Sequence, residues 1–368
     1  MRVLFVLPRM VSGGVERITL SLIRGFQREG HECALALRRA QGEFLDEAKS
    51  LCTVREIAGR GLHQFVPHLA GLIRTWQPTH VVTAFADVGV LTWLAMRMAQ
   101  RRPRWVHGVH NTHAPVIARS GTKGRIRFRL DIRCGAFVYR HADAIVAVSN
   151  GVRDEIIDDF HIAPERVTRI YNPVVPHAEL CPVAEPRHDP AEPYSIVAVG
   201  RLARQKGFDI LIEAMTRVPG SWRLDIWGEG GDRQMLQALI ADRGLQGRIS
   251  LRGYTSEPFS VLRRADLFVL SSRWEGLPTV VIEALACQCQ VVATDCPQGP
   301  REILEDGRFG QLVPAEQPNA LGEAITRAVS GHACVGPAQM LKRAHEFSSD
   351  VACVLWLELL RGVQETNG

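Results

Sequence analysis

The stretch Trp274–Ala286, WEGLPTVVIEALA, places two glutamates with seven residues between them. Glu275 precedes Gly276, Leu277 and Pro278, and Glu283 follows eight residues on, within the helix that Thr279 begins. The N–H groups of a helix start, here around Leu277 and Thr279, favour a bound anion, so this end reads as a phosphate seat. A carboxylate in a dry cleft with no cation of its own is suited to accept hydrogen bonds from sugar hydroxyls. Upstream, VGRLARQKGFDIL carries Arg201 and Lys206 in the loop that leaves a strand. Two cations at a strand's carboxyl end can neutralise a diphosphate, and Gly207 lets the next helix start close by. Near the N-terminus, Gly13 and Gly14 mark another strand-to-helix turn. That loop either takes an anion on its N–H groups or is a plain tight turn, and it lacks the full G-x-G-x-x-G pattern.

The elements that must hold these residues follow from periodicity. Apolar runs at 2–7, 31–37, 79–85, 104–110 and 143–149 read as strands, with helices at 14–30, 63–78 and 88–101. The second half repeats the scheme, with strands at 194–200, 222–228, 249–253, 267–272, 291–295 and 310–314. Such alternation, apolar on both faces, means α/β architecture: parallel sheets wrapped by helices in two doubly wound halves. Between them, 173–193 holds six prolines and no periodicity, the mark of a linker. Ligand crevices lie at the carboxyl ends of the strands, so the cleft between the halves is the expected site.

Composition narrows the classes. At 368 residues, 46% hydrophobic and 23% charged, the chain is an ordinary soluble globular protein of two-domain size. Its nine cysteines form no CxxC pair and read as buried reduced thiols. The start, MRVLFVLPRM, does not read as a signal peptide, and no apolar run is long enough to span a membrane. Residues 1–180 hold 25 Lys/Arg against 16 Asp/Glu, whereas 181–368 hold 19 against 23. One basic half suggests an anionic partner on that side.

Taken together, SGGVER, HADAIVAVSNGVRDEI, RIYNPV, VGRLARQKGFDILIEA, WGEG, LRGY, ADLFVLSSRWEGLPTVVIEALA and DCPQGPREIL resemble the retaining glycosyltransferases of family 4. The resemblance covers nearly the whole chain and implies a GT-B fold, two Rossmann-like domains facing across a cleft. It makes 1–172 the acceptor-binding domain, 173–193 the linker and 194–345 the nucleotide-sugar domain. The C-terminal helix, 346–368, packs back towards the N-terminal domain. It implies that Arg201 and Lys206 hold the donor diphosphate without a metal or other cofactor, and that Gly14 meets the diphosphate from the other domain. The backbone at Pro278 and Thr279 takes the distal phosphate, with Gly276 and Leu277 also donor-binding, Glu283 takes the ribose hydroxyls, and Glu275 faces the donor sugar. Gly253 and Tyr254 flank the base. His110 corresponds to a histidine near sugar and acceptor, while His107, on the opposite face of its strand, reads as a core imidazole. Gln288 and Gln290 depart from the family's usual Gly and Pro.

The loop DCPQGPREIL is similar to that of enzymes using UDP-linked galactose-type or N-acetylhexosamine sugars. The expected donors are UDP-N-acetylgalactosamine, UDP-N-acetylglucosamine or UDP-galactose. The expected acceptor is a glycan or lipid-linked chain in cell-surface polysaccharide or lipopolysaccharide assembly. Segment 119–140 carries Arg119, Lys123, Arg125, Arg127, Arg129, Arg133 and Arg140 among apolar residues, which suits the anionic inner face of the cytoplasmic membrane. The expected localisation is therefore cytoplasmic and peripheral. No aromatic platform accompanies these cations, so nucleic acid is not expected. Two rivals remain at this level: a nucleotide-sugar epimerase on the same fold, and a non-catalytic nucleotide-sugar-binding protein.

Overall fold

The computed structural model describes residues 1–11, 13–57, 62–110, 122–176, 180, 192–332 and 335–365, with the side chains of 62–63, 122–130 and 363–365 outside it. The chain divides into two compact units, Met1–Pro173 with Ser349–Gly368, and Val174–Ser348.

The first unit is built on seven parallel strands: β1 (Arg2–Leu7), β2 (Glu32–Leu37), β3 (Thr53–Glu56), β4 (His80–Thr83), β5 (Arg104–Val109), β6 (Ala144–Ala147) and β7 (Val167–Arg169). Their order is β3-β2-β1-β4-β5-β6-β7. The central strands are buried along most of their length, β1 and β6 as nearly unbroken apolar runs, because helices cover both faces. The helix Gly14–Arg28 buries Ile18, Leu22, Ile23 and Phe26, the spacing of one helical face. The C-terminal helix supplies Ala352, Cys353, Trp356, Leu357 and Leu360 to the same core. The leading edge strand β3 was not anticipated. Its residues are largely exposed, so they carry no buried run or alternation for a sequence reading to find. The other edge, β7, is only three residues long.

The second unit has six parallel strands: β8 (Tyr194–Val199), β9 (Trp222–Trp227), β10 (Ile249–Gly253), β11 (Leu267–Leu270), β12 (Gln290–Asp295) and β13 (Gln311–Pro314). Their order is β10-β9-β8-β11-β12-β13. Both sheets therefore reverse direction of winding once, between β1 and β4 and between β8 and β11. In open sheets of this kind the crevice at the carboxyl ends beside the reversal is the ligand position. In the second unit the loops that flank it are those after β8 and after β11, which carry Lys206 and Glu275. Two Rossmann-like domains are present.

Behind the crevice, Gln288 ends the helix Thr279–Ala286 in the left-handed region at φ 58°, where glycine is the usual residue. Gln290 answers the missing proline differently. Its side-chain amide donates to the Val335 carbonyl at 3.0 Å and its carbonyl oxygen accepts from the Val335 N–H at 2.9 Å.

Candidate functional site

The loops after β8 and β11 are fastened to each other along their length. Gly207 adopts φ 62°, and a Cβ there would stand 2.1 Å from the Ser271 carbonyl oxygen, so only glycine allows this approach. Ser271 Oγ donates to the Lys206 carbonyl at 2.8 Å, Arg273 N–H to the Gln205 carbonyl at 2.8 Å, and Gln205 Nε2 to the Trp274 carbonyl at 3.0 Å. Arg273 anchors the assembly from below. Its guanidinium makes a two-pronged bond to Asp209 at 2.9 and 2.7 Å and reaches Glu316 at 2.9 Å. Such fork-on-fork contacts fix orientation as well as charge.

This fastening brings Lys206 onto Glu275. The lysine stem crosses Gly200, and Nζ lies 2.6 Å from Glu275 Oε1. Ser272 Oγ donates to the same oxygen, also at 2.6 Å. The expectation that Glu275 has no cation of its own is thus corrected. Burial demands a partner for a carboxylate that is 6% exposed, and Lys206 provides it. Arg201 leaves the same strand end with an exposed side chain and makes no ion pair among the described residues. Cys296 lies close by. Burial pushes its thiol up to about 12, and the Glu275 charge acts in the same direction. It stays protonated.

Gly276, Leu277 and Pro278 are buried in the loop that follows, and Pro278 caps the helix Thr279–Ala286 in an extended conformation. Gly299 packs onto this loop; a Cβ there would meet the Pro278 ring at 2.5 Å. Glu283 lies just over one turn down, buried on the helix. At the neighbouring strand ends, Gly200 N–H donates to Trp227 O at 2.9 Å and Gly228 N–H to Gly253 O at 2.7 Å, drawing β8, β9 and β10 together. Gly253 faces the Glu229 carboxylate, which Arg233 pairs at 2.9 Å, and Tyr254 stands 63% exposed beside it.

In the first unit, Gly14 opens its helix, and a Cβ there would touch nothing. The crowded glycine is Gly13, where a Cβ would stand 2.3 Å from Glu16 Oε2. At this turn, which the sequence left open between an anion seat and a plain tight turn, the chain's own Glu16 carboxylate lies against Gly13. Burial raises the Glu16 pKa against the opposing pull of its own N–H and of Arg9.

His110 follows β5. The residue is part-buried by area, yet its Nδ1 is shut from solvent and has no partner among the described residues. Burial lowers its pKa to about 4, although a hydrogen bond with Asn172 works the other way. His107 is a core imidazole whose Nδ1 lies 2.8 Å from Thr83 Oγ1.

Sequence reasoning passed over Ser272, Arg273 and Asp209. A polar pair directly after a buried apolar strand was a signal for Ser271 and Ser272. Nothing local marks Arg273, because its partner Asp209 is 64 residues away.

Two family models account for most of the chain. Residues 12–178 match the model described as Glycosyltransferase Family 4, and residues 185–346 the one described as Glycosyl transferases group 1. The chain belongs to the family 4 glycosyltransferases. Among curated relatives of this family 4 protein, it is 31% identical over 194 residues to the N-acetylgalactosamine-N,N'-diacetylbacillosaminyl-diphospho-undecaprenol 4-alpha-N-acetylgalactosaminyltransferase of Campylobacter jejuni. That match spans 52% of each chain, about half the relative's length. The lipopolysaccharide core biosynthesis glycosyltransferase LpsE of Rhizobium meliloti is 25% identical over 354 residues, 95% of this chain and 96% of that one. In fold, the family 4 chain resembles HepE of Anabaena in complex with UDP, with a TM-score of 0.82 at 19% identity, covering 98% of this chain and 100% of that one. It also resembles the lipopolysaccharide outer core galactosyltransferase WaaB in its apo form, with a TM-score of 0.80 at 19% identity, covering 98% and 99%.

Proposed function

We propose that this glycosyltransferase moves a hexose or N-acetylhexosamine from a UDP-sugar to a glycan or lipid-linked acceptor in lipopolysaccharide or related surface-polysaccharide assembly, with retention at the anomeric carbon. The observation that carries the reading is the convergence of Lys206 and Glu275 beside a helix start, at the sheet's reversal point. Lys206 and Arg201 take the charge of the diphosphate, the backbone N–H groups around Leu277 and Thr279 its distal phosphate, and Glu283 the ribose hydroxyls. Glu275 holds the sugar. The bond from the anomeric carbon to the diphosphate oxygen breaks, and a bond to the acceptor oxygen forms on the same face. The acceptor's hydroxyl proton passes to the departing diphosphate, and UDP leaves. The two cations stabilise the charge that develops on it, so the donor half needs no metal.

UDP-N-acetylgalactosamine and UDP-galactose are the favoured donors. The Campylobacter relative's name describes N-acetylgalactosamine transfer, and a lipopolysaccharide 1,6-galactosyltransferase of Salmonella typhimurium is 29% identical over 211 residues, 57% of its length. Acceptor and membrane meet at the basic segment of the first unit. Its helix, Thr122–His141, exposes Arg133 and Arg140, while the side chains of Arg119, Lys123, Arg125, Arg127 and Arg129 lie outside the described set. No helix among the described residues is long and apolar enough to cross a membrane. The docking proposed here is peripheral, carried by the cations of this segment.

Calorimetry with UDP, GDP and ADP, then with the UDP-sugars, tests the donor. Glu283→Ala should weaken UDP binding tenfold or more, and Glu275→Ala should lower turnover more than UDP affinity. Equal, negligible effects of both would sink the assignment. Sugar inversion without an acceptor would identify an epimerase, and binding without any turnover a carrier.

A further inference from the structure

Lys206 and Ser272 both end on Oε1 of Glu275, each at 2.6 Å, and Oε2 is left without a hydrogen bond among the described residues. Ser272 is fully buried, and its own carbonyl accepts from Thr294 Oγ1 at 2.6 Å, which fixes the backbone that carries the hydroxyl. Glu275 is pinned from the other side by its N–H, 3.4 Å from the Pro297 carbonyl. A hydroxyl this close to a carboxylate forms a charge-assisted hydrogen bond, stronger and more directional than a neutral one. Its neighbour Ser271 points the opposite way and bonds the Lys206 backbone, so the two serines tie the cation's loop and the carboxylate's loop to one strand end.

We infer that Ser272 is a positioning residue for the transfer reaction. By holding Oε1, it fixes the rotamer of Glu275 so that Oε1 serves Lys206 and Oε2 is presented to a hydroxyl of the donor sugar. The inference rests on the sugar-binding role proposed above for Glu275. A carboxylate held by one oxygen accepts from the sugar at a set angle; released, it rotates, and the sugar loses a fixed partner while the nucleotide keeps its own. Ser272 therefore separates sugar affinity from nucleotide affinity.

The test is Ser272→Ala, with Ser272→Cys and Ser272→Thr beside it. UDP and UDP-sugar affinities are measured by calorimetry, turnover by UDP release, and folding by the thermal midpoint. The expected result is a turnover lowered about tenfold to a hundredfold, the range for losing a hydrogen bond to a charged group. UDP affinity stays within about twofold, the preference for UDP-sugar over UDP shrinks, and Ser272→Thr recovers part of the turnover. Unchanged turnover would overturn the inference. So would UDP and UDP-sugar affinities falling by the same factor together with the midpoint, the pattern of a merely structural hydroxyl. If Ser272→Ala does not fold, the same comparison is read from Ser272→Cys. Failure of the wild-type protein to bind any UDP-sugar would instead remove the functional reading beneath it.

Discussion

Lys206 Nζ lies 2.6 Å from Glu275 Oε1, across 69 residues of sequence, with both side chains largely buried. A buried ion pair adds little to stability by existing, but removal of one member leaves the other uncompensated. Lys206→Met should therefore lower unfolding free energy by about 2 kcal/mol, less than for a fully buried pair because the lysine keeps some solvent contact. The double variant Lys206→Met/Glu275→Gln should regain more than half of that loss in urea denaturation. Strictly additive losses would mean the two residues are not energetically joined.

Arg273 holds the site loop through Asp209. Burial pushes the Asp209 pKa up, but the hydrogen bond and charge of Arg273 outweigh it, and the net shift is downward from 3.8. A depressed carboxylate contributes stability that is present above its unfolded pKa and lost as pH falls through the folded one. Acid unfolding curves should show this loss below about pH 4, and Asp209→Asn should abolish that part of the pH dependence. Arg273→Lys, which cannot make the fork, should weaken UDP-sugar binding while the far face of the domain stays folded by hydrogen exchange.

His110 is a base held neutral. Its folded pKa of about 4 lies below the ordinary 6.5, so between those values the unfolded chain takes up a proton that the folded chain refuses. Stability should fall by about 3 kcal/mol as pH drops from 6.5 through 4, and level off below. His110→Gln should remove that slope. An imidazole resonance titrating near 6.5 in the folded protein would contradict the assignment.

Gln290 makes two reciprocal hydrogen bonds to the backbone of Val335. Gln290→Ala should lower stability by about 1 kcal/mol, as two half-buried backbone groups lose their partner. UDP affinity should not change, because the contact sits behind the crevice. A matching loss in affinity would show that this connection reaches the site.

Much of this protein was written locally. Apolar runs such as RVLFVL and LFVLSS become central strands because only a sheet covered on both faces can bury every residue of such a run. The spacing from Glu275 to Glu283, with proline just ahead of the helix, fixes one glutamate in the loop and the other one turn into the helix, since helical rise is a property of the backbone. The exposed edge β3 escaped notice because its residues answer to a neighbouring strand and not to a buried face. What the sequence could not reveal is who partners whom. That Lys206 belongs to Glu275, that Ser272 holds the same oxygen, that Arg273 clasps Asp209 and that Glu16 folds over Gly13 all depend on side chains meeting in space. Apart from Glu16, which folds back on its own turn, they meet because parallel strands deliver distant loops to one end of a sheet. Charge and periodicity marked the loops at the strand ends as the place to look; only the packed loops decided which of their side chains hold one another.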